Sequence, residues 1–364
     1  MSVGLFPEMT EEQRMLADSA IRAMEAEYPL SAVREAAEGS RTDTGKLWRT
    51  LGGLGCLGLL ASEDGGGGTL SGNGVADAAI IASERGARLA PGPYVASLIV
   101  AGTLSRAGTP AQQAGVLPAL LSGDAMATWA MCDVTVRETA DGTVLNGVVN
   151  GVQDAGDCDW ILLSSGAGQF LLPGSADGLT LAAADSLDIT RKFCTLVLND
   201  VRVPSSAVLG DPSGAAALAD WQLAVAAVLS AAESAGAMDA NFGLALAYAK
   251  TRIAFGRPIG SFQGLKHMLA RTSLALEMAK ALVAGAAEAL GGGEPDGLVM
   301  ASIARAFVSE NAVELTHDCF QVFGGIGFTW EHEQHLYMRR LASEAYLFGS
   351  PSRHRRRIWE VAGA

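Results

Sequence analysis

Charged and aromatic residues are both scarce in this sequence of 364 residues. Charged residues make up 18% and aromatic residues 6%, whereas hydrophobic residues reach 49%, and the mean hydropathy is +0.25. A composition this apolar predicts that much surface is buried between subunits as well as within them. The formal net charge of -13 argues against a nucleic-acid-binding surface.

Other features are missing as well. No run of about 18 apolar residues free of charge is present, so no membrane-spanning helix is predicted. The opening MSVGLFPEMTEEQRML lacks a basic region followed by an apolar one, so secretion is not indicated. The five cysteines are scattered and form no C-x-x-C pair, which predicts reduced thiols in a cytoplasmic protein. His332 and His335 stand close to Glu331, but no further residue completes the set of ligands that a structural metal ion needs, so no metal site is predicted.

The hydrophobic periodicity changes twice along the chain and predicts three domains. Residues 1–117 read as helices, beginning with a capping box formed by Thr10 and Gln13. Residues 118–213 contain short aliphatic and β-branched runs separated by Gly, Asn, Asp and Pro, a pattern typical of β-hairpins. Residues 214–364 return to long apolar helical patterns rich in small residues, as in close-packed helical bundles.

Between two of these helical patterns stands FGRPIGSFQGLKH, residues 255–267, a corner with glycines, a proline and cationic side chains. Within YAKTRIAFGRPIGSFQGLKHMLA, and with QVFGGIGFTWEHEQHLYMRR downstream, it resembles the C-terminal bundle of acyl-CoA dehydrogenases. DITRKFCTLVLNDVRVP is similar to the last strands of that family's middle domain. The resemblance covers essentially the whole chain. It implies an α+β fold with an N-terminal helical domain, a middle antiparallel β-domain and a C-terminal four-helix bundle.

The resemblance also implies a cofactor and a reaction. Members of the family bind FAD between the subunits of a tetramer, oxidise an acyl-CoA thioester and pass electrons to an acceptor protein. A glutamate removes the α-proton while the β-hydrogen leaves as hydride to the flavin. Cationic side chains and backbone N–H groups suit the FAD pyrophosphate. At the family positions that reach a neighbouring subunit's FAD, this sequence carries Arg252, Phe255, Gln263, Gln321, Gly324 and Gly325.

The sequence departs from the family where the chemistry takes place. Members of the family place the catalytic glutamate at one of two positions. In this sequence these positions carry Phe348, just before Gly349, and Ala226, on the first bundle helix. The strand that packs a tryptophan on the flavin aligns with Gly151 to Gln153. The first flavin-contacting strand reads WAMCD, residues 129–133. No catalytic residue is therefore predicted in this chain.

This asymmetry is similar to that of actinobacterial heterotetramers of two related subunits, several of which act on steroid side-chain CoA thioesters. It predicts an α2β2 assembly in which this chain completes the FAD site of a partner that supplies the base. Two alternatives stay open: a self-sufficient homotetramer with Glu233 as a relocated base (Glu344 being weaker), and a structural paralogue without FAD. Retained Arg252, Gln263 and Gln321 argue against the paralogue, since a scaffold needs no pyrophosphate clamp.

Overall fold

The computed structural model describes residues 5–6, 8–39, 44–139 and 142–362. Within these residues, a group of helices comes first, two β-sheets follow, and a second group of long helices completes the chain. This helix, sheet, helix order confirms the predicted fold. The two outer ends of the predicted domains, residues 1 and 364, lie outside the described residues.

The N-terminal helices begin with the predicted capping box. The Thr10 hydroxyl accepts from the Gln13 N–H at 3.2 Å, and the Gln13 side chain accepts from the Thr10 N–H at 2.8 Å. Residue 117, where the first domain was predicted to end, lies inside the sixth helix. The helices are α1 (Glu11–Glu27), α2 (Leu30–Ala37), α3 (Gly45–Gly53), α4 (Gly74–Ala87), α5 (Tyr94–Ala107) and α6 (Pro110–Ser122).

The middle region forms two four-stranded sheets, ordered β1-β4-β5-β8 and β2-β3-β7-β6. The prediction of an antiparallel domain is wrong for one pair, because β1 and β4 are parallel, with Ala127 opposite Trp160. Between β1 and β4 the chain passes through β2 and β3, which belong to the second sheet. It then re-enters the first sheet, where β4 runs in the same direction as β1. The strands are β1 (Ala127–Met131), β2 (Thr135–Thr139), β3 (Gly142–Gln153), β4 (Trp160–Ser165), β5 (Gly168–Pro173), β6 (Leu179–Ala184), β7 (Phe193–Val203) and β8 (Val208–Leu209).

The C-terminal helices pack on each other and on α4. Helices α4 and α7 approach closely at two glycines: a Cβ on Gly236 would lie 1.9 Å from the Ser83 carbonyl oxygen, and one on Gly86 would lie 1.8 Å from the Glu233 carbonyl oxygen. Only glycine permits this backbone contact. The elements are α7 (Ala215–Thr251), β9 (Ile253–Ala254), β10 (Arg257–Pro258), α8 (Gln263–Gly291), α9 (Gly297–Phe323), α10 (Gln334–Glu344) and α11 (Pro351–Ala362).

Helix α7 is the apolar centre of this arrangement. By length and composition it could cross a membrane, because its most apolar 18-residue window has a mean hydropathy of 1.5 and no more than two charged residues. However, 67% of that window is buried inside the protein. Burial of this extent is typical of a core helix, and such a single helix is weak evidence for a membrane span.

The cysteines and the histidines near residue 332 have ordinary packing roles. All five cysteines are free thiols. His332 accepts from the Gln334 N–H at 3.1 Å through Nδ1, while His335 stacks on Trp330 with ring centroids 4.7 Å apart. Among the described residues, no group of three or more His, Cys, Asp or Glu side chains could hold a metal ion.

Candidate functional site

The corner between α7 and α8 is a protruding hairpin. Arg252 leaves the helix in an extended conformation (φ -69°, ψ 122°), and its carbonyl accepts from the Ile259 N–H at 2.8 Å. Strands β9 and β10 are joined by Phe255 and Gly256, whose φ angles are 53° and 78°. Such left-handed conformations make a tight turn. The turn leaves the Phe255 side chain 95% exposed, with its ring in edge contact with Phe262 at a centroid distance of 6.2 Å.

Positive charge and free backbone N–H groups occur together in this corner. Gln263 is the first residue of α8, a helix of 29 residues, so the helix presents its positive dipole end and first-turn N–H groups here. The side chains of Arg252 and Gln263 are exposed, and Arg252 forms no ion pair with any described residue. Arg257 lies 4.1 Å from the centre of the Phe262 ring. The corner therefore has the chemistry to bind a phosphate group.

The second predicted motif lies at the same end of the bundle. The rings of Tyr248, near the end of α7, and Phe323, the last residue of α9, are 5.3 Å apart. Gly324 has φ 61° and ψ -139°, a conformation open only to glycine. At both Gly324 and Gly325 a Cβ would meet no atom within 4 Å. Together with exposed Gln321, these glycines offer backbone that another molecule can approach.

Exposed apolar side chains are concentrated in and near the same corner. Phe255 is 95% exposed and Phe328, after α9, is 77% exposed. Large exposed apolar side chains that are concentrated in one region favour an interaction surface there. The other large apolar side chains that are exposed in β9, in α8 and in the segment after α9 are Ile253, Leu274, Met278, Ile326 and Trp330.

The residues predicted to have replaced the flavin-ring pocket come together in a small cleft. Its walls include Trp129 from β1, Gly151 and Gln153 from β3, and Phe348 and Gly349 from the segment after α10. The cleft has a volume of about 190 Å³. Ligand pockets usually measure roughly 300–1,000 Å³. Of the WAMCD segment, only residues 129–131 line the cleft.

Two aromatic rings pack against each other in the wall of this cleft. Trp129 and Phe348 have ring centroids 5.6 Å apart at 31°. The Trp129 indole N–H donates to the Ser164 hydroxyl at 2.8 Å, which fixes its orientation. The Gln153 amide donates to the carbonyl of Gly92 and to the carboxylate of Asp154, so it is already engaged. The corner therefore fits the pyrophosphate of FAD, whereas this chain's own cleft does not fit the ring.

Neither predicted base position supplies a carboxylate. Phe348 occupies one of them, with φ of 60°. Ala226 occupies the other, on α7; it is fully buried, and its carbonyl accepts from the Ser230 hydroxyl at 2.6 Å. Leu223, one helical turn before Ala226, lines the cleft. The position is therefore near the cleft, but its side chain cannot move a proton.

Glu233, the alternative base, belongs to a buried ionic cluster. Its carboxylate accepts from Arg191 and, at 3.4 Å, from Arg340. Burial alone would raise the pKa of Glu233, but Arg191, Arg340 and Arg85 lower it below its ordinary value. Glu344 accepts from Arg191 at 2.5 Å, and burial raises the pKa of its carboxyl. A carboxylate held between two guanidinium groups is a poor proton acceptor.

The arginines of this cluster are the residues that sequence reasoning missed. Arg191 and Asp188 lie in the segment between β6 and β7, and Arg340 lies on α10; Arg340 contacts Asp188 at 2.9 Å. Arg305 of α9 donates to the carbonyl of Leu347 at 2.7 Å. The cluster thus joins the β-domain to α7 and α10 and holds the segment that carries Phe348. Asp188, Arg191 and Arg340 stand within two of the motifs quoted above and Arg305 lies outside them. Their contacts join positions that are far apart in sequence.

Comparison with known proteins agrees with this architecture. The family profile "Acyl-CoA dehydrogenase, N-terminal domain" matches residues 10–124, and "Acyl-CoA dehydrogenase, C-terminal domain" matches residues 216–363. "Acyl-CoA dehydrogenase IpdE2" of Mycolicibacterium smegmatis is 30% identical over 361 residues, covering 96% of this chain and 98% of the relative.

Two solved structures of protein pairs share the fold. A variant of the Tcur3481-Tcur3483 steroid ACAD matches with a TM-score of 0.85 and 25% identity, over 97% of this chain and 98% of the other. The ChsE4-ChsE5 complex from Mycobacterium tuberculosis matches with a TM-score of 0.86 and 24% identity, over 98% of both chains. Because two profiles match most of the chain and a 30%-identical relative matches nearly all of it, the chain belongs to the acyl-CoA dehydrogenase family of oxidoreductases.

Proposed function

We propose that this chain completes the FAD site of a related partner subunit, which supplies the base for α,β-desaturation of an acyl-CoA thioester. One contrast carries the proposal. The corner around Arg252 and the glycines after α9 are open to a second molecule, whereas the chain's own cleft measures only about 190 Å³ and has the Trp129 and Phe348 rings in its wall. A subunit with this asymmetry serves a cofactor bound mainly by its neighbour.

The residues have separate tasks in this proposal. Arg252 and the N-terminus of α8 hold the pyrophosphate, and the backbone at Gly324 and Gly325 approaches it without steric hindrance. Phe255 and Gln263 cover the adenosine portion. Gln321 adds an exposed amide on the same side. Bound FAD would accept the hydride from the β-carbon, and the partner's carboxylate would take the α-proton.

The names of two structural relatives support a proposal for the assembly and the substrate. ChsE4-ChsE5 is described as a complex, and the Tcur3481-Tcur3483 protein is described as a steroid ACAD. We therefore favour an α2β2 assembly acting on a steroid side-chain CoA thioester, with an electron-transfer protein as acceptor. The free thiols agree with a cytoplasmic location.

A homotetramer with Glu233 as base is the second candidate. Its support is the position of Glu233 on the same helix as Ala226, two turns further on. The contacts of Glu233 with Arg191 and Arg340 count against it, because a base must be free to take a proton at the substrate. If the chain were a structural paralogue that binds no FAD, the exposed Arg252 side chain and the accessible backbone at Gly324 and Gly325 would have no functional explanation.

The proposal is tested by assaying the chain alone and together with a related, glutamate-bearing acyl-CoA dehydrogenase chain from the same source. We expect acyl-CoA-dependent reduction of a dye acceptor only from the co-expressed pair. A partner with its glutamate replaced by glutamine should assemble but lose activity. Turnover by the chain alone would overturn the proposed division of roles.

A further inference from the structure

A wide cavity lies between helix α6 and the β-domain. It has a volume of about 780 Å³, within the range of roughly 300–1,000 Å³ that is usual for ligand pockets. Its wall includes Val116 of α6, Trp160 at the start of β4, and Leu171 and Leu172 of β5. The cavity shares no lining residue with the cleft or with the corner described above. The proposed role in FAD binding therefore leaves it without an explanation.

Hydrogen bonds between neighbouring segments hold the wall of this cavity in place. The Gln112 side chain of α6 donates to the carbonyl of Ser206 at 2.7 Å and to that of Val208 at 2.9 Å, which fixes α6 to the segment after β7. The turn after β5 is tied to the end of β7, because the Asn199 N–H donates to the Gly178 carbonyl at 2.9 Å. A cavity whose wall is already ordered lowers the entropic cost of binding a ligand.

The most buried part of the wall is apolar. Val116, Leu171 and Leu172 are between 2% and 6% exposed, and the partly exposed Trp160 adds an aromatic ring. Apolar surface of this kind gains free energy when a ligand displaces water from it. A flat ring can also pack on the indole of Trp160, since aromatic pairs are favourable beyond the area that they bury.

The charged residues of the wall are exposed and carry both signs. They are Asp177, Asp200 and Arg202. Because positive and negative side chains occur together, neither an organic cation nor an anion finds a field of the opposite sign at this rim. A charged ligand would also lose water of hydration against the buried leucines. The uncharged polar residues of the wall are Thr109, Gln112, Asn199 and Ser206.

We propose that this cavity binds a neutral, flat aromatic molecule. Its apolar body packs on Trp160 and on the two leucines of β5, and one uncharged polar group, such as a hydroxyl, faces the polar rim. Such a ligand buries apolar surface without leaving a charge unpaired.

Three pyrene derivatives with the same flat body separate a neutral ligand from a charged one. Fluorescence titration of the full chain at neutral pH should show that pyrenemethanol binds at least about tenfold more tightly than pyrenesulfonate or pyrenylmethylammonium, because only the charged probes must give up strongly bound water. Equal or tighter binding of either charged probe, or no saturable binding of pyrenemethanol, would overturn the proposal.

Two exposed alanines provide a matched pair of variants that locates the binding. Ala111 of α6 lines the cavity, whereas Ala26 of α1 does not. Both variants should fold, because substitutions at exposed positions rarely destabilise a protein strongly. Ala111→Trp places a large ring at the cavity and should weaken pyrenemethanol binding at least about tenfold, while Ala26→Trp should leave it unchanged. The same titration curve for the two variants would place the binding elsewhere, for example on the apolar side chains of the corner, and refute the proposal.

Discussion

Replacing Glu233 by glutamine separates a structural role from a catalytic one. The substitution keeps the shape of the side chain and removes its charge. In the structure, that charge compensates Arg191 and Arg340 directly, and Arg85 at longer range. All three guanidinium groups are buried. We therefore expect Glu233→Gln to destabilise the fold while leaving the chemistry of an assembled enzyme intact.

The magnitude follows from the burial of the pair. Removing one partner of a buried ion pair usually costs about 3–5 kcal/mol. Because the amide oxygen of the introduced glutamine would still accept one hydrogen bond, we expect a value near the lower end, roughly 3 kcal/mol. This is a substantial part of a typical folding free energy of about 5–15 kcal/mol. By contrast, loss of a general base lowers the rate by about 10²–10⁴.

Two measurements distinguish the roles. Chemical denaturation of the purified complex should show a lower midpoint for Glu233→Gln, and turnover below the unfolding range should stay within a few-fold of wild type. Glu314→Gln, at an exposed glutamate of α9, should change stability by less than about 0.5 kcal/mol. A loss of turnover on the scale of a missing base, with stability unchanged, would refute the reasoning and restore the homotetramer.

Three further predictions concern other parts of the molecule. Arg252→Ala should weaken FAD binding by the assembled enzyme about ten- to a hundredfold, measured by flavin release on dilution, whereas Arg14→Ala on exposed α1 should not; equal effects would contradict the role of the corner. Gly236→Ala should destabilise the fold by more than about 1–3 kcal/mol, because its Cβ would lie 1.9 Å from a carbonyl oxygen of α4. Gly243→Ala, in open space on the same helix, should stabilise it by up to about 1 kcal/mol; similar denaturation midpoints for the two would count against the close packing. Burial and then neighbouring arginines lower the pKa of His354 to about 4, so stability should be lost as the pH falls from about 6.5 towards 4. His354→Gln should reduce this loss in melting experiments at pH 7 and pH 5; an identical pH dependence would exclude His354 as its source.

The sequence predicted the order of the three regions because local patterns determine it. Periodicity separated helices from strands, and the capping box at Thr10 was confirmed. The parallel pairing of β1 with β4 was missed, since strand direction depends on the path of the chain between Met131 and Trp160. Local pattern carries no information on such long-range pairing.

The candidate site was predictable to a similar extent. Resemblance to the family motifs assigned Trp129, Gly151 and Phe348 to positions around the flavin, and in the structure these three residues line one cleft. The ionic partners of Glu233 were not predicted, because Arg191 and Arg340 are distant in sequence and periodicity does not report tertiary contacts.

The central claim is that two chains share one FAD, and flavin stoichiometry tests it most directly. The flavin absorbance of the purified complex, divided by the concentration of each chain, should give one FAD per pair of chains. The chain expressed alone should bind little FAD. One FAD for every chain in the complex, or a fully flavinylated preparation of this chain alone, would contradict the account.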